Sequence, residues 1–128
     1  MSAQLKTAKL DSSVIKNRII EDTQLGPTAI VDVVQGSGTL YAIEIDASAA
    51  NAHQYLKLKL TTSDVTVGTT EPDIVIMCAA QKKFTHCIPA GLSFTSLSAW
   101  LTTTEAVTDT TNSENAAQRY TIARFITI

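Results

Sequence analysis

The sequence predicts an all-β protein: an antiparallel β-sandwich of the immunoglobulin-like or jelly-roll kind, with about eight strands and an extended N-terminal arm. Three observations predict it. From residue 28 onward, short runs rich in Val, Ile, Thr and aromatic residues alternate with turn chemistry at the close spacing of a sandwich or barrel. Two of these runs, LYAIEID (40–46) and YLKLKL (55–60), alternate apolar and polar side chains with period 2, as a half-buried antiparallel strand does. No run carries the apolar spacing of an amphipathic helix, and no repeat appears at a fixed period. At 128 residues one core, and hence one domain, is expected. A closed small barrel is the runner-up architecture.

In chain order, residues 1–26 read as an N-terminal arm and 27–128 as the sandwich domain. The first dozen residues are polar, Lys-bearing and without period. VIKNRII (14–20) suits a short strand or one helical turn, and Gly26-Pro27 punctuates the chain. TAIVDVV (28–34) is β-branched and runs into Gln35-Gly36-Ser37-Gly38, whose glycines suit a hairpin turn. In the next run Tyr41, Ile43 and Ile45 are expected on the core face, and in YLKLKL Leu56, Leu58 and Leu60 inward with Lys57 and Lys59 outward. A short Val65–Val67 strand leads into a connection through Pro72, which has no N–H for a ladder. IVIMCA (74–79) is nearly continuous in apolarity, so a strand covered on both faces, by a loop or another subunit, is expected. KKFTHCI (82–88), a turn at Pro89-Ala90-Gly91, LSAWLTTT (97–104), an acidic and polar loop over 107–118, and a final strand RYTIARFITI (119–128) complete the chain.

Composition narrows the function. The chain has 10 Lys plus Arg against 12 Asp plus Glu, and only 17% charged residues, while Thr alone outnumbers Lys and Arg together. A near-neutral balance with scattered bases gives no footprint for nucleic acid. No run approaches the ~18 apolar residues of a membrane span, and the opening residues lack the apolar core of a secretory signal. The chain is therefore expected to be made in a cytoplasm, with Cys78 and Cys87 both reduced and both small core residues.

The residue types that carry catalysis do not assemble along the chain. Only His53 and His86 could serve as bases: His53 lies in a polar loop, His86 in an alternating strand, and no GxSxG is present. Cys78, His86 and Cys87 lack the spacing of a zinc site, because adjacent strand residues point to opposite faces. Asp64, Asp73 and Asp109 read as turn residues that bond nearby backbone rather than as a calcium loop. Glu44, Asp46, Glu71 and Asp73 offer no pair with a glycosidase task, so no enzyme and no cofactor or metal is expected. Trp100 and Phe94, with Tyr55 or Tyr41, could stack a sugar, but a single Trp in a sandwich is expected in the core.

From Gly38 to Phe94 the succession GTLYAIEID, YLKLKL, VTVGTTEPDIVI and IPAGLSF resembles a group of small virion proteins of tailed bacteriophages. The resemblance spans about the middle half of the chain and brings no catalytic motif. It implies a β-sandwich structural component, foremost a decoration or cement protein. Such a protein binds the outer head surface, ties major capsid subunits together, and is made in the host cytoplasm. A tail, fibre or knob module and a carbohydrate-binding sandwich are the alternatives. Under this reading the contact residues are Lys6, Lys9, Lys16 and Arg18 of the basic arm, with Ile76 and Met77 of the apolar run. The acidic 104–118 loop opposes the arm in charge. A homo-oligomer, dimer or trimer, is expected because IVIMCA is too apolar for a lone edge strand.

Overall fold

A computed structural model describes residues 3–6 and 18–128. Among the described residues eight strands form two antiparallel sheets. The larger contains β1 (Ala3–Lys6), β2 (Arg18–Leu25), β3 (Gly38–Asp46), β6 (Lys83–Phe94) and β8 (Thr121–Thr127), in the order β1-β2-β8-β3-β6. The smaller contains β4 (Gln54–Lys59), β5 (Ile74–Cys78) and β7 (Ser98–Thr102), in the order β5-β4-β7. The inner faces meet in a single apolar cluster. Ile20, Leu40, Ile43, Ile45, Ala123 and Phe125 come from one sheet, and Leu56, Leu58, Cys78, Ala99 and Leu101 from the other. The chain is therefore an antiparallel β-sandwich. Phe125 sits at the centre of the larger sheet, opposite Ile20 on one side and Ile43 on the other.

Two bulges set which side chains reach that core. In β3, Leu40 and Ala42 face the successive β8 residues Thr127 and Ile126, so Tyr41 is one residue extra. The bulge turns Tyr41 out of phase. Leu40, Ile43 and Ile45 are buried and Tyr41 is only half-buried, which corrects the expected core set of Tyr41, Ile43 and Ile45. In β2, three steps from Asp22 to Leu25 match two in β8, and the Gln24 N–H donates to Asp22 Oδ1 at 2.9 Å inside this second bulge. The extra residue returns Leu25 to the core.

Other expectations change for local reasons. Arg18–Leu25, read as the end of the arm, is a central strand of the larger sheet, between β1 and β8. Residues 28–34 do not form a regular strand. Segment 26–33 runs along the outer edge of β7, with the Leu101 N–H donating to Gly26 O and bonds in both directions between Ile30 and Ala99. The extended course then breaks at Asp32 (φ 46°), where a turn closed by Gln35 N–H to Asp32 O begins. Val65–Val67 forms a loop, not a strand. Pro89-Ala90-Gly91 makes an excursion inside β6 instead of a turn between strands: Ala42 faces Cys87 while Leu40 faces Leu92. Gly91 sits there at φ +77°, where a Cβ would lie 2.5 Å from Thr39 Cγ2. Within the expected 107–118 loop, Asn112 caps a one-turn helix α1 (Ser113–Ala116), its side chain accepting from the Glu114 and Asn115 N–H groups.

Phe125→Ala is expected to cost about 3–5 kcal/mol of unfolding free energy, because the ring is fully buried and its loss leaves a cavity in the core. Urea denaturation followed by circular dichroism measures it.

Candidate interaction surface

Opposed residues of an antiparallel pair share a face, so Lys57 and Trp100 stand side by side on the outer face of the smaller sheet. Neither is exposed: Lys57 is 0% and Trp100 1% accessible. Lys57 faces outward as expected, but it is roofed by loops. Its Nζ donates to the Ala106 carbonyl at 2.6 Å, which ties the 103–111 loop across the sheet. The 61–73 loop abuts the same roof, since a Cβ on Gly68 would meet Thr110 Cγ2 at 2.5 Å. Burial pushes the Lys57 pKa down, and the charge of Asp109 acts against that shift. Trp100 is thus buried, as expected, but beneath loops and outside the inter-sheet cluster. Phe94 is buried too, so neither ring presents a stacking platform.

The acidic loop spends its charges internally. Asp109 accepts from the Thr104 N–H and hydroxyl at 2.7 and 2.8 Å and from the Thr111 N–H and hydroxyl at 2.9 Å each. Burial opposes ionisation of Asp109, but these four bonds outweigh it and hold the carboxyl at about 2. Glu114 is 1% exposed. It accepts from the Asn51 N–H at 2.7 Å and from Arg119 Nε at 2.7 Å, and pairs with the Arg119 guanidinium. Desolvation pushes the Glu114 pKa up, yet the bonds from Arg119 and the Asn51 and Ala52 amides bring it below the usual value. Of Glu105, Asp109 and Glu114 in this loop only Glu105 is exposed, so the other two carboxylates serve the structure of the roof.

What remains open on this side is apolar. Val75 and Met77 are 44% and 49% exposed. They lie opposite Lys57 and Tyr55 respectively, on the outer face, and Tyr55 is half-buried beside them. The strand expected to be covered on both faces is therefore an edge strand with one face open. Ile76, on the inner face, packs against the core. Of the two apolar contact residues expected, Met77 belongs to the exposed row and Ile76 does not, while Val75 and Tyr55 were missed. Register along β5 would have found them, but only once the pairing with β4 was known. Arg18 is exposed at the start of β2, and the backbone of Lys6 lies opposite Ile19 on β1, both in the other sheet. Lys9 and Lys16 lie outside the described residues.

The remaining chemistry-bearing residues are dispersed. Cys78 is buried in the core, where burial pushes its thiol up to about 12, whereas Cys87, expected in the core, is exposed on β6. His53 Nδ1 accepts from the Ala80 N–H at 3.0 Å, and the exposed His86 meets Phe84 edge to face at 5.3 Å. Among the described residues no group of three His, Cys, Asp or Glu gathers where it could hold a metal ion. Two shallow depressions, of about 200 and 320 Å³, lie beside Asn115 and beside Arg124. In the second, Lys83 lies 3.7 Å from Asp46, and Arg124 Nε donates to Glu21 at 2.6 Å. No family model, curated protein or solved structure matches the chain.

Two outcomes test this surface. Met77→Lys is expected to change the unfolding free energy by no more than about 0.5 kcal/mol, as surface positions do, while Ile76→Lys costs at least about 2 kcal/mol by forcing a charge toward the core. Urea denaturation of both variants decides the facing of β5. Because Asp109 is held at about 2 against the usual 3.8, its stabilising contribution is full above 3.8 and is lost as pH falls through about 2. Thermal melts across that window should show a loss in the wild type that Asp109→Asn lacks.

Proposed function

We propose that this chain is a structural protein of a tailed-bacteriophage particle, a decoration protein that binds the outside of the head and braces contacts between major capsid subunits. The observation that carries the reading is the exposed apolar row of Val75 and Met77 beside Tyr55, held on the sheet next to the buried Lys57 and Trp100. Apolar residues grouped on an otherwise polar surface mark sites of association with protein. A rigid sheet loses little freedom on docking, which leaves more of the contact energy as net affinity. Support also comes from the sequence, where the order of motifs from Gly38 to Phe94 resembles small virion proteins and the neutral, Thr-rich composition suits protein partners.

Under this reading function is additive binding. Each copy contributes free energy to the assembled shell and none to its dissociated subunits, so the shell gains stability in proportion to occupancy. Repetition over a symmetric surface makes modest contacts effective through multivalency. Arg18, exposed at the start of β2, offers a cation to an acidic capsid patch.

The test is location. Electron microscopy of intact particles, with the protein identified by mass spectrometry, is expected to place density over the head shell, and adding purified protein to bare heads should raise the temperature at which they rupture. Density confined to the tail would replace the head assignment with a tail or fibre role. Absence from purified particles would overturn the virion reading altogether.

A further inference from the structure

Among the described residues the two sheets end in four edge strands, and β5 stands apart from the rest. The outer edge of β7 is bonded by segment 26–33. β6 carries Lys83, Pro89 and the excursion around Gly91, all of which discourage pairing with another strand. β1 is only four residues long and ends in Lys6. β5 reads Ile-Val-Ile-Met-Cys, with no charge, no proline and an unbroken register from Ile74 to Cys78. Among the described residues no strand pairs with its outer side. An apolar, regular edge of this kind is a template for strand addition.

We propose that β5 pairs antiparallel with β5 of a second copy, about a two-fold axis at Ile76, making one continuous six-stranded sheet from two three-stranded ones. The occupant is argued from self-complementarity. A dyad at Ile76 overlaps all five residues of the strand, setting Ile74 against the partner's Cys78 and Val75 against the partner's Met77. The apolar pair Val75 and Met77 is then formed twice, once on each side of the axis, which shields the edge-facing sides of two of the exposed large apolar residues of the single chain. The flanks carry opposite charge: Glu71 precedes the strand and Lys82 follows it. Antiparallel pairing brings Glu71 of each copy beside Gln81 and Lys82 of the other, as an isologous interface requires. Both side chains are exposed, and neither forms an ion pair among the described residues. The neighbouring charges are already used within the chain, Asp73 by Lys59 at 3.2 Å and Lys83 by Asp46 at 3.7 Å. Glu71 and Lys82 are the pair left for a neighbour. This inference stands on the fold alone and does not require that the protein bind a capsid.

Sedimentation equilibrium of the full chain from micromolar to millimolar concentration is the first test. A reversible monomer–dimer equilibrium is expected, and Val75→Lys should weaken it by about tenfold or more, because it places two ammonium groups beside the axis. Register is tested by cysteines in a Cys87→Ser background. Val75→Cys with Met77→Cys should oxidise to a covalent dimer, whereas either single variant should not, since its like residues sit diagonally, about 7–8 Å apart and beyond disulfide reach. If Val75→Lys fails to fold by circular dichroism, the cysteine variants still decide. A wild type that stays monomeric throughout, a dimer indifferent to Val75→Lys, or single variants that cross-link as readily as the double would each overturn the proposal. A monomer that binds heads but loses them on Val75→Lys would assign the edge to a capsid segment, overturning self-pairing while sparing the decoration reading. A β5-linked dimer absent from purified particles would do the reverse.

Discussion

The fully buried Lys57 amine, bonded to the Ala106 carbonyl, is the interaction on which the smaller sheet depends. A three-stranded sheet packed against a five-stranded one has an inner face in the core and an outer face toward water. Here the outer face carries Trp100, whose large apolar surface must be covered. The loop that covers it is polar, so it needs directed bonds to stay down. Lys57 supplies one from below, and Asp109 stitches Thr104 to Thr111 within the loop. Burying an amine costs desolvation, and the drop in its pKa reflects that cost. The return is a second small core on the far side of the sheet.

The same economy governs the segment after the loop. Asn112 is at once the cap of α1 and a donor to Gln54 at 2.9 Å, and Gln54 in turn donates to Thr121 at 2.9 Å. This buried relay links β4 to β8 across the two sheets. Glu114 then locks the helix turn to Asn51 and Arg119. A buried polar network with its partners in place fixes one arrangement of loops, because any shift would strand a desolvated group. Loops fixed in this way leave the open stretch of β5 as the apolar feature presented on that side.

Much of the fold was legible in the residues themselves. Leu56, Leu58 and Leu60 face inward as their alternation required, and the strands at 38–46, 74–78 and 121–127 lie where β-branched runs placed them. Tyr41 failed because a bulge adds one residue to β3, and period-2 counting assumes an unbroken ladder. Lys57 takes the outer face that alternation assigned it, yet it is buried, because alternation says which face a residue takes and never what lies over that face. The apolarity of β5 flagged the contact surface, but which of its residues are exposed follows only from pairing with β4.

The sequence by itself determined an all-β sandwich, the polarity of its best strands and the apolar character of β5, because these follow from side-chain periodicity and from residues that local geometry constrains. Only the tertiary structure decided that β5 is an edge, that β7 is closed by segment 26–33, and that Asp109 and Glu114 of the late loop are bonded within the chain. Strand neighbours and loop cover are contacts between residues far apart in the chain. Glu114 meets Asn51 across 63 positions and Arg124 meets Glu21 across 103, distances over which no local pattern carries a signal.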